Sequence, residues 1–112
     1  MSDSQGLPPF LRGVIDDHPE VWEAYQKLGE SVGDAGPLDE RDQRLVKLSL
    51  AIGAKSEGAV HSHAQRALRE GVPAHALYQV ALLAITTIGW SSAMASLSWI
   101  RDVVQKKPAS GG

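Results

Sequence analysis

SEGAVHSHAQRALREG, residues 56 to 71, carries its own start, body and stop and reads as one complete helix. Ser56 stands where an N-cap belongs, and Gly71 stands where a C′ residue belongs. Between them Val60, Ala64, Ala67 and Leu68 recur at helical spacing and define one apolar face. The same helix holds Glu57, His61 and His63, and so two of the four histidines in the chain. Glu57 and His61 are an i,i+4 pair and lie one above the other. Stepping about 100° per residue from Glu57, the apolar face centres at roughly 320°, His61 falls at roughly 40° and His63 at roughly 240°. The two histidines therefore flank the buried face from opposite edges. They serve one site only if another helix or subunit folds over to meet one of them.

On either side the punctuation predicts more helices. Upstream, Asp39 precedes ERDQRLVKLSLAIGAK, in which Leu45, Leu48 and Ile52 repeat at helical spacing and Val46, Leu50 and Ala51 widen the apolar surface. That helix is expected to be largely buried. Asp17-His18-Pro19 offers an N-cap and an early proline for a helix from about Pro19 to Val32, with Val21, Trp22, Tyr25 and Leu28 as its stripe. Leu7 to Ile15 adds a short helical turn before it. Downstream of Val72-Pro73, AHALYQVALLAITTI from Ala74 to Ile88 is apolar on nearly every side, as in a helix buried in a core or a subunit interface. Its β-branched end also suits a strand, but nothing nearby offers a partner with period-two alternation. A last helix, about Ser91 to Lys106, ends in Lys106-Lys107, well placed for a helix C-terminus.

The expected fold is all-α: a single-domain bundle of about five or six helices. Residues 1 to 18 form an N-terminal segment expected to be partly disordered, 19 to 106 the helical domain and 107 to 112 a disordered tail. No internal repeat points to a solenoid.

Composition excludes several classes of function. A chain of 112 residues fits one domain. Its net charge of -2 and scattered basic residues leave no nucleic-acid footprint. There is no cysteine, so thiol nucleophiles, disulfides and Cys-ligated metals are excluded. MSDSQGLPPFLRG lacks the basic and apolar regions of a secretory signal, and the apolar stretch from Ala74 to Ile100 is interrupted too often to span a bilayer. A cytoplasmic protein with no membrane partner is expected. There is no Gly-rich phosphate loop and no nucleophile elbow. Trp22, Trp90 and Trp99, flanked by apolar residues, read as core or interface anchors.

The chemistry-bearing residues each have two readings. Glu57 and His61 suit a general acid/base pair, because a carboxylate one turn away stabilises imidazolium; the same spacing also describes an ordinary exposed ion pair. His63 is either catalytic or a hydrogen-bonded core histidine. Arg66 and Arg69 are placed to hold an anionic substrate, or simply to complement a helix C-terminus. A metal needs three or four convergent ligands, and His61 and His63 diverge on a helix with no HExxH spacing, so no metal and no cofactor is expected.

The string LDERDQRLVKLSLAIGAKSEGAVHSHAQRALREGVPAHALYQVALLAITTIGW, and above all GAVHSHAQRAL within it, resembles the carboxymuconolactone decarboxylase family, whose fold is alkylhydroperoxidase D-like. The resemblance spans roughly residues 19 to 104. It implies an all-α domain that assembles through apolar helices into homo-oligomers: dimers, trimers or hexamers. The peroxidase branch of that fold uses a CxxC pair, a histidine four residues after it and an upstream glutamate. Matching that histidine to His63 puts Ser56 and Ala59 at the cysteine positions and Arg44 at the glutamate position. The decarboxylase branch needs no cysteine, and to it correspond Glu57 and His63. The resemblance thus implies decarboxylation of a small organic acid or lactone, with His63, His61 and Glu57 as catalytic candidates and Arg66 and Arg69 as substrate-binding ones. The alternatives are a peroxiredoxin-type antioxidant activity by family membership, and a non-catalytic oligomeric binding or scaffold protein.

Overall fold

A computed structural model describes residues 9 to 106. Their regular structure is entirely helical, with seven helices and no strand among the described residues. The chain divides into two compact units, Met1–Pro37 and Leu38–Gly112.

The first unit holds α1 (Pro9–Asp17) and α2 (Pro19–Gly33), which pack on each other. The turn expected over residues 7 to 15 is thus a longer helix, and its first two positions lie outside the described residues. Asp17 does not cap α2. His18 occupies the N-cap without a side-chain bond and its carbonyl accepts from the Val21 and Trp22 amides, while Pro19 takes the first helical position, where no amide is needed. Trp22 and Tyr25 stack with ring centroids 5.8 Å apart. The expected stripe Val21, Tyr25 and Leu28 is exposed, and Trp22 is half-buried.

The second unit holds α3 (Glu40–Gly53), α4 (Glu57–Arg69), α5 (Ala74–Leu83), α6 (Ile85–Ile88) and α7 (Trp90–Val104). The punctuation acts as the residue types dictate. Asp39 Oδ1 accepts from the Asp42 amide at 2.8 Å, and Ser56 Oγ accepts from the Ala59 amide at 3.3 Å. At the end of α4, Gly71 adopts a φ of 94°, which lets the Val72 amide reach back to the Ala67 carbonyl at 3.0 Å. Helix α4 packs on α3 and α7, and α5 packs on both of those helices. Leu48, Val60, Leu77 and Ile100 are fully buried between them. Each such side chain stabilises the fold by about 1.5–3 kcal/mol. Ala64, Ala67, Ala81 and Ala93, also fully buried, keep the helices close.

Two expectations need correcting here. The helix expected over Ala74 to Ile88 is interrupted at Ala84. The Ala84 amide bonds three residues back to Ala81, and the Thr86 and Thr87 hydroxyls donate to the Leu83 and Ala84 carbonyls, so side chains compete for the backbone where the β-branched run begins. Helix α3 is also less buried than its composition suggests, because Val46 and Leu50 are exposed. In their place the inner face takes Arg44, which is only 8% exposed.

Candidate functional site

Because α4 lies against both α3 and α7, its two histidines are served by different neighbours. His61 is directed to α7. Its Nε2 stands 3.3 Å from Asp102 Oδ2 and 3.9 Å from Glu57 Oε2. The pair expected from sequence forms, but loosely, and the closer carboxylate is one that the i,i+4 rule does not reach. One ligand atom each from Glu57, His61 and Asp102 lies within 4.8 Å of the others. Two of the three side chains are exposed, and an imidazole shared by two carboxylates accounts for the arrangement.

His63 is directed the other way, to the charges of α3. It is half-buried, and its pKa is lowered first by that burial and then by the positive charges of Lys47, Arg44 and Arg66. Lys47 is lowered as well, by burial and by Arg44 and Arg66, with Glu70 opposing. Both shifts have the same physical origin, partial burial among like charges, and for His63 they favour the neutral imidazole.

Glu70 holds the two guanidinium groups in place. Arg66 Nε donates to Glu70 Oε2 at 3.2 Å, while Arg44 Nε lies 3.2 Å from Glu70 Oε1 as an ion pair without hydrogen-bond alignment. Both arginines meet the carboxylate through Nε. Arg44 Nη1 is buried and has no hydrogen-bond partner among the described residues. A buried guanidinium N–H left in that condition is an exception to the rule that buried donors are paired.

Of the sequence candidates, His63 and Arg66 come together with α3; Glu57 and His61 form a separate group with Asp102; Arg69 is exposed in the last turn of α4 and is in neither. Sequence reasoning missed Lys47, Glu70 and Asp102, and took Arg44 only as a departure from a motif. One signal for Arg44 was present. It lies four residues before Leu48 and so on the buried face of α3, where a cation is exceptional without a partner.

Comparison with known proteins agrees with this architecture. The model of the carboxymuconolactone decarboxylase family matches residues 19–102, most of the chain. The chain belongs to that family. An uncharacterised protein of Haemophilus influenzae is 30% identical over 50 residues, which covers 45% of this chain and 44% of that protein. The match thus spans less than half the length of that relative. No solved structure matches. The family match takes in α2 to α7 up to Asp102, and so includes both histidine groups. The matched region has no cysteine, and the charges that act on His63 within it are cationic.

Proposed function

We propose that the protein is an acid/base catalyst that decarboxylates a small organic acid or lactone, with His63 as the proton-transfer group and Arg44, Lys47 and Arg66 as the receptor for the substrate's negative charge. The observation that carries this reading is the half-buried His63 facing three cations, one of them a buried arginine with an unpartnered N–H. Loss of carbon dioxide breaks a C–C bond and leaves its electron pair on the organic fragment as an enolate. Fixed cations stabilise that charge as it develops. The fragment then takes a proton at carbon from His63, which is recharged from solvent.

The electrostatics couple binding to protonation. Burial first, and then the charges of Lys47, Arg44 and Arg66, lower the His63 pKa and favour its neutral form. An anionic substrate offsets those charges and raises the histidine toward its ordinary pKa of about 6.5. The proton is taken up when there is an anion to receive it. Glu57, His61 and Arg69 lie outside this chemistry in our reading.

The test is carbon dioxide release from a panel of carboxylated lactones and unsaturated acids. His63→Gln should lower kcat by about a hundredfold or more, the range for loss of a general acid, and Arg44→Met should raise KM. Turnover that survives in His63→Gln at half the wild-type rate removes the histidine from the mechanism. Peroxidase turnover by the isolated protein with a thiol donor would instead restore the antioxidant reading, which lacks a cysteine in this chain. Saturable anion binding without turnover would make the protein a binding module.

We also read the protein as a cytoplasmic homo-oligomer. A groove of about 610 Å³ between α3 and α5–α6 is lined by apolar side chains that include Val46, Val80, Leu83 and Ile88, and Leu50 and Leu82 are exposed as well. A second copy of the chain is the occupant we assign to this face. Among the described residues, no helix is long and apolar enough to cross a membrane. A monomeric mass in solution contradicts the assembly.

A further inference from the structure

Helices α1 and α2 form a unit without a core. Neither contains a buried residue, and helices of nine and fifteen residues are marginal in water unless one face is covered. Their unit, Met1–Pro37, is also below the size, about 40 residues, at which a chain without disulfides or metals usually holds a core of its own. Yet α2 carries an ordered apolar seam. Val21, Tyr25, Leu28 and Val32 follow one another at steps of four, three and four residues, the spacing of a helix that lies along other helices, and all four are more than half exposed. Tyr25 is already fixed by its stack on Trp22, so it has little rotamer freedom left to lose on burial.

The groove between α3 and α5–α6 has the matching form. On one wall Ala76, Val80, Leu83 and Thr87 repeat the same steps of four, three and four, over about 16 Å of helix in both cases. On the other wall stand Leu45, Ser49 and Ile52 of α3, with Arg41 at its start. The hydroxyls in the groove are already engaged. Ser49 Oγ donates to the Val46 carbonyl at 2.7 Å, and Thr87 Oγ1 donates to the Ala84 carbonyl at 3.1 Å. The groove therefore offers mainly carbon, which suits an apolar helix better than a polar ligand.

Charge selects which part of a second copy enters. The first unit has seven acidic and two basic side chains, a net charge of -5, and the second has nine basic and six acidic, a net charge of +3. When two copies meet, like units repel and unlike units attract. Two first units across a two-fold axis, or two grooves face to face, are therefore disfavoured. Glu20, Glu23 and Glu30 are exposed along α2, and Arg41 at the groove is exposed as well, so the complementarity extends to the contact itself.

We infer that α2 of one copy lies in the groove between α3 and α5–α6 of a second copy, and reciprocally, with Tyr25 and Leu28 as the central anchors. This rests on the reading of that groove as a contact between copies and names the element that fills it. A reciprocal exchange covers both apolar faces at once, and its two contacts are identical by symmetry.

The chain has no cysteine, so introduced thiols report the contact without background. Leu28 and Leu83 are both 59% exposed, so Leu28→Cys and Leu83→Cys leave the core intact. The two proteins, mixed and left to exchange, should be joined by a short bis-maleimide into a pair of chains, and neither should cross-link on its own. In sedimentation equilibrium Leu28→Asp should raise the dissociation constant of the pair by about thirtyfold or more, the loss expected at a central anchor. A pair that forms with no cross-link in the mixture, or with an unchanged dissociation constant in Leu28→Asp, overturns the inference and leaves the groove to another part of the second copy. A cross-link found only within a chain that carries both cysteines also overturns it, since the groove is then filled without a second copy. A monomeric mass at every concentration removes the inference together with the reading on which it rests.

Discussion

The pairing of Arg44 with Glu70 makes a prediction about stability that differs in sign for the two partners. Arg44 is 8% exposed and its carboxylate neighbour is 3.2 Å away, but the Glu70 side chain is 37% exposed and also serves Arg66. Two unit charges about 4 Å apart interact by about 4 kcal/mol at an effective dielectric of 20. Water on the Glu70 side screens much of that, so about 1–2 kcal/mol is the expected loss in Glu70→Gln. In a domain of this size that lowers the melting midpoint by about 5–15 °C. Arg44→Met behaves differently: it removes a buried charge together with the unpartnered Nη1 and leaves an apolar chain of similar length against Leu48 and its neighbours. The cost is near zero, or the change stabilises by about 1 kcal/mol. Once Arg44 is gone, Glu70→Gln should cost little, because only the exposed Arg66 pair remains and such pairs contribute under about 1 kcal/mol. Urea unfolding of the four proteins, followed by far-ultraviolet circular dichroism, closes the cycle. If Glu70→Gln costs the same with methionine at position 44 as with arginine, the carboxylate is not there to hold the buried guanidinium, and the account of the site as a pre-set anion receptor loses its structural basis.

Two further outcomes follow from the separate placement of the histidines. The His63 pKa is lowered in the folded protein by burial and by Lys47, Arg44 and Arg66, with Glu70 the nearby carboxylate that partly offsets those charges on Lys47. Below the ordinary histidine value of about 6.5 the unfolded chain binds more protons than the folded one, so this group's contribution to stability is complete above that pH and falls as the pH drops toward the folded value. The wild type should lose stability over that window relative to His63→Gln, and parallel urea midpoints for the two proteins between about pH 5 and pH 7 would contradict it. Asp102→Asn breaks the 3.3 Å contact to His61 between groups that are 62% and 33% exposed in their side chains. It should change stability by under about 1 kcal/mol and leave decarboxylation within about twofold of wild type; a tenfold loss of kcat would bring His61 back into the catalytic centre.

The elements of this fold that were legible in sequence are those set by local chemistry. Asp39, Ser56 and Gly71 each announce a helix boundary through an interaction completed within three or four residues, and all three act as their types predict. The wheel of α4 likewise separated His61 from His63 before any neighbour was known. What periodicity does not show is which apolar face another element covers. Val46, Leu50, Leu82 and Leu83 all sit in apolar patterns and are exposed, while Arg44 sits in the same register as Leu48 and is buried. The break at Ala84 was hidden for a related reason, since a uniformly apolar run has no face whose drift would reveal it. Asp102 was out of reach because its partner is 41 residues away in sequence and only helix packing brings them together.

Arg44 links the family membership to the chemistry we propose. The sequence resemblance puts it where the peroxidase branch has a relay glutamate, and the structure shows it buried beside Glu70 and acting electrostatically on His63. A carboxylate at that position would raise the pKa of His63 and stabilise its protonated form. The arginine does the reverse: after burial, it acts with Lys47 and Arg66 to lower the His63 pKa. With Ser56 and Ala59 at the cysteine positions, the nucleophile is gone as well as the relay. Those replacements are mutually consistent, because a site that no longer has to form a thiolate no longer needs a negative charge to take its proton, and one that receives an anion needs the positive charge instead. In our reading the three departures from the peroxidase pattern are a single change of function, from activating a thiol to accepting a carboxylate.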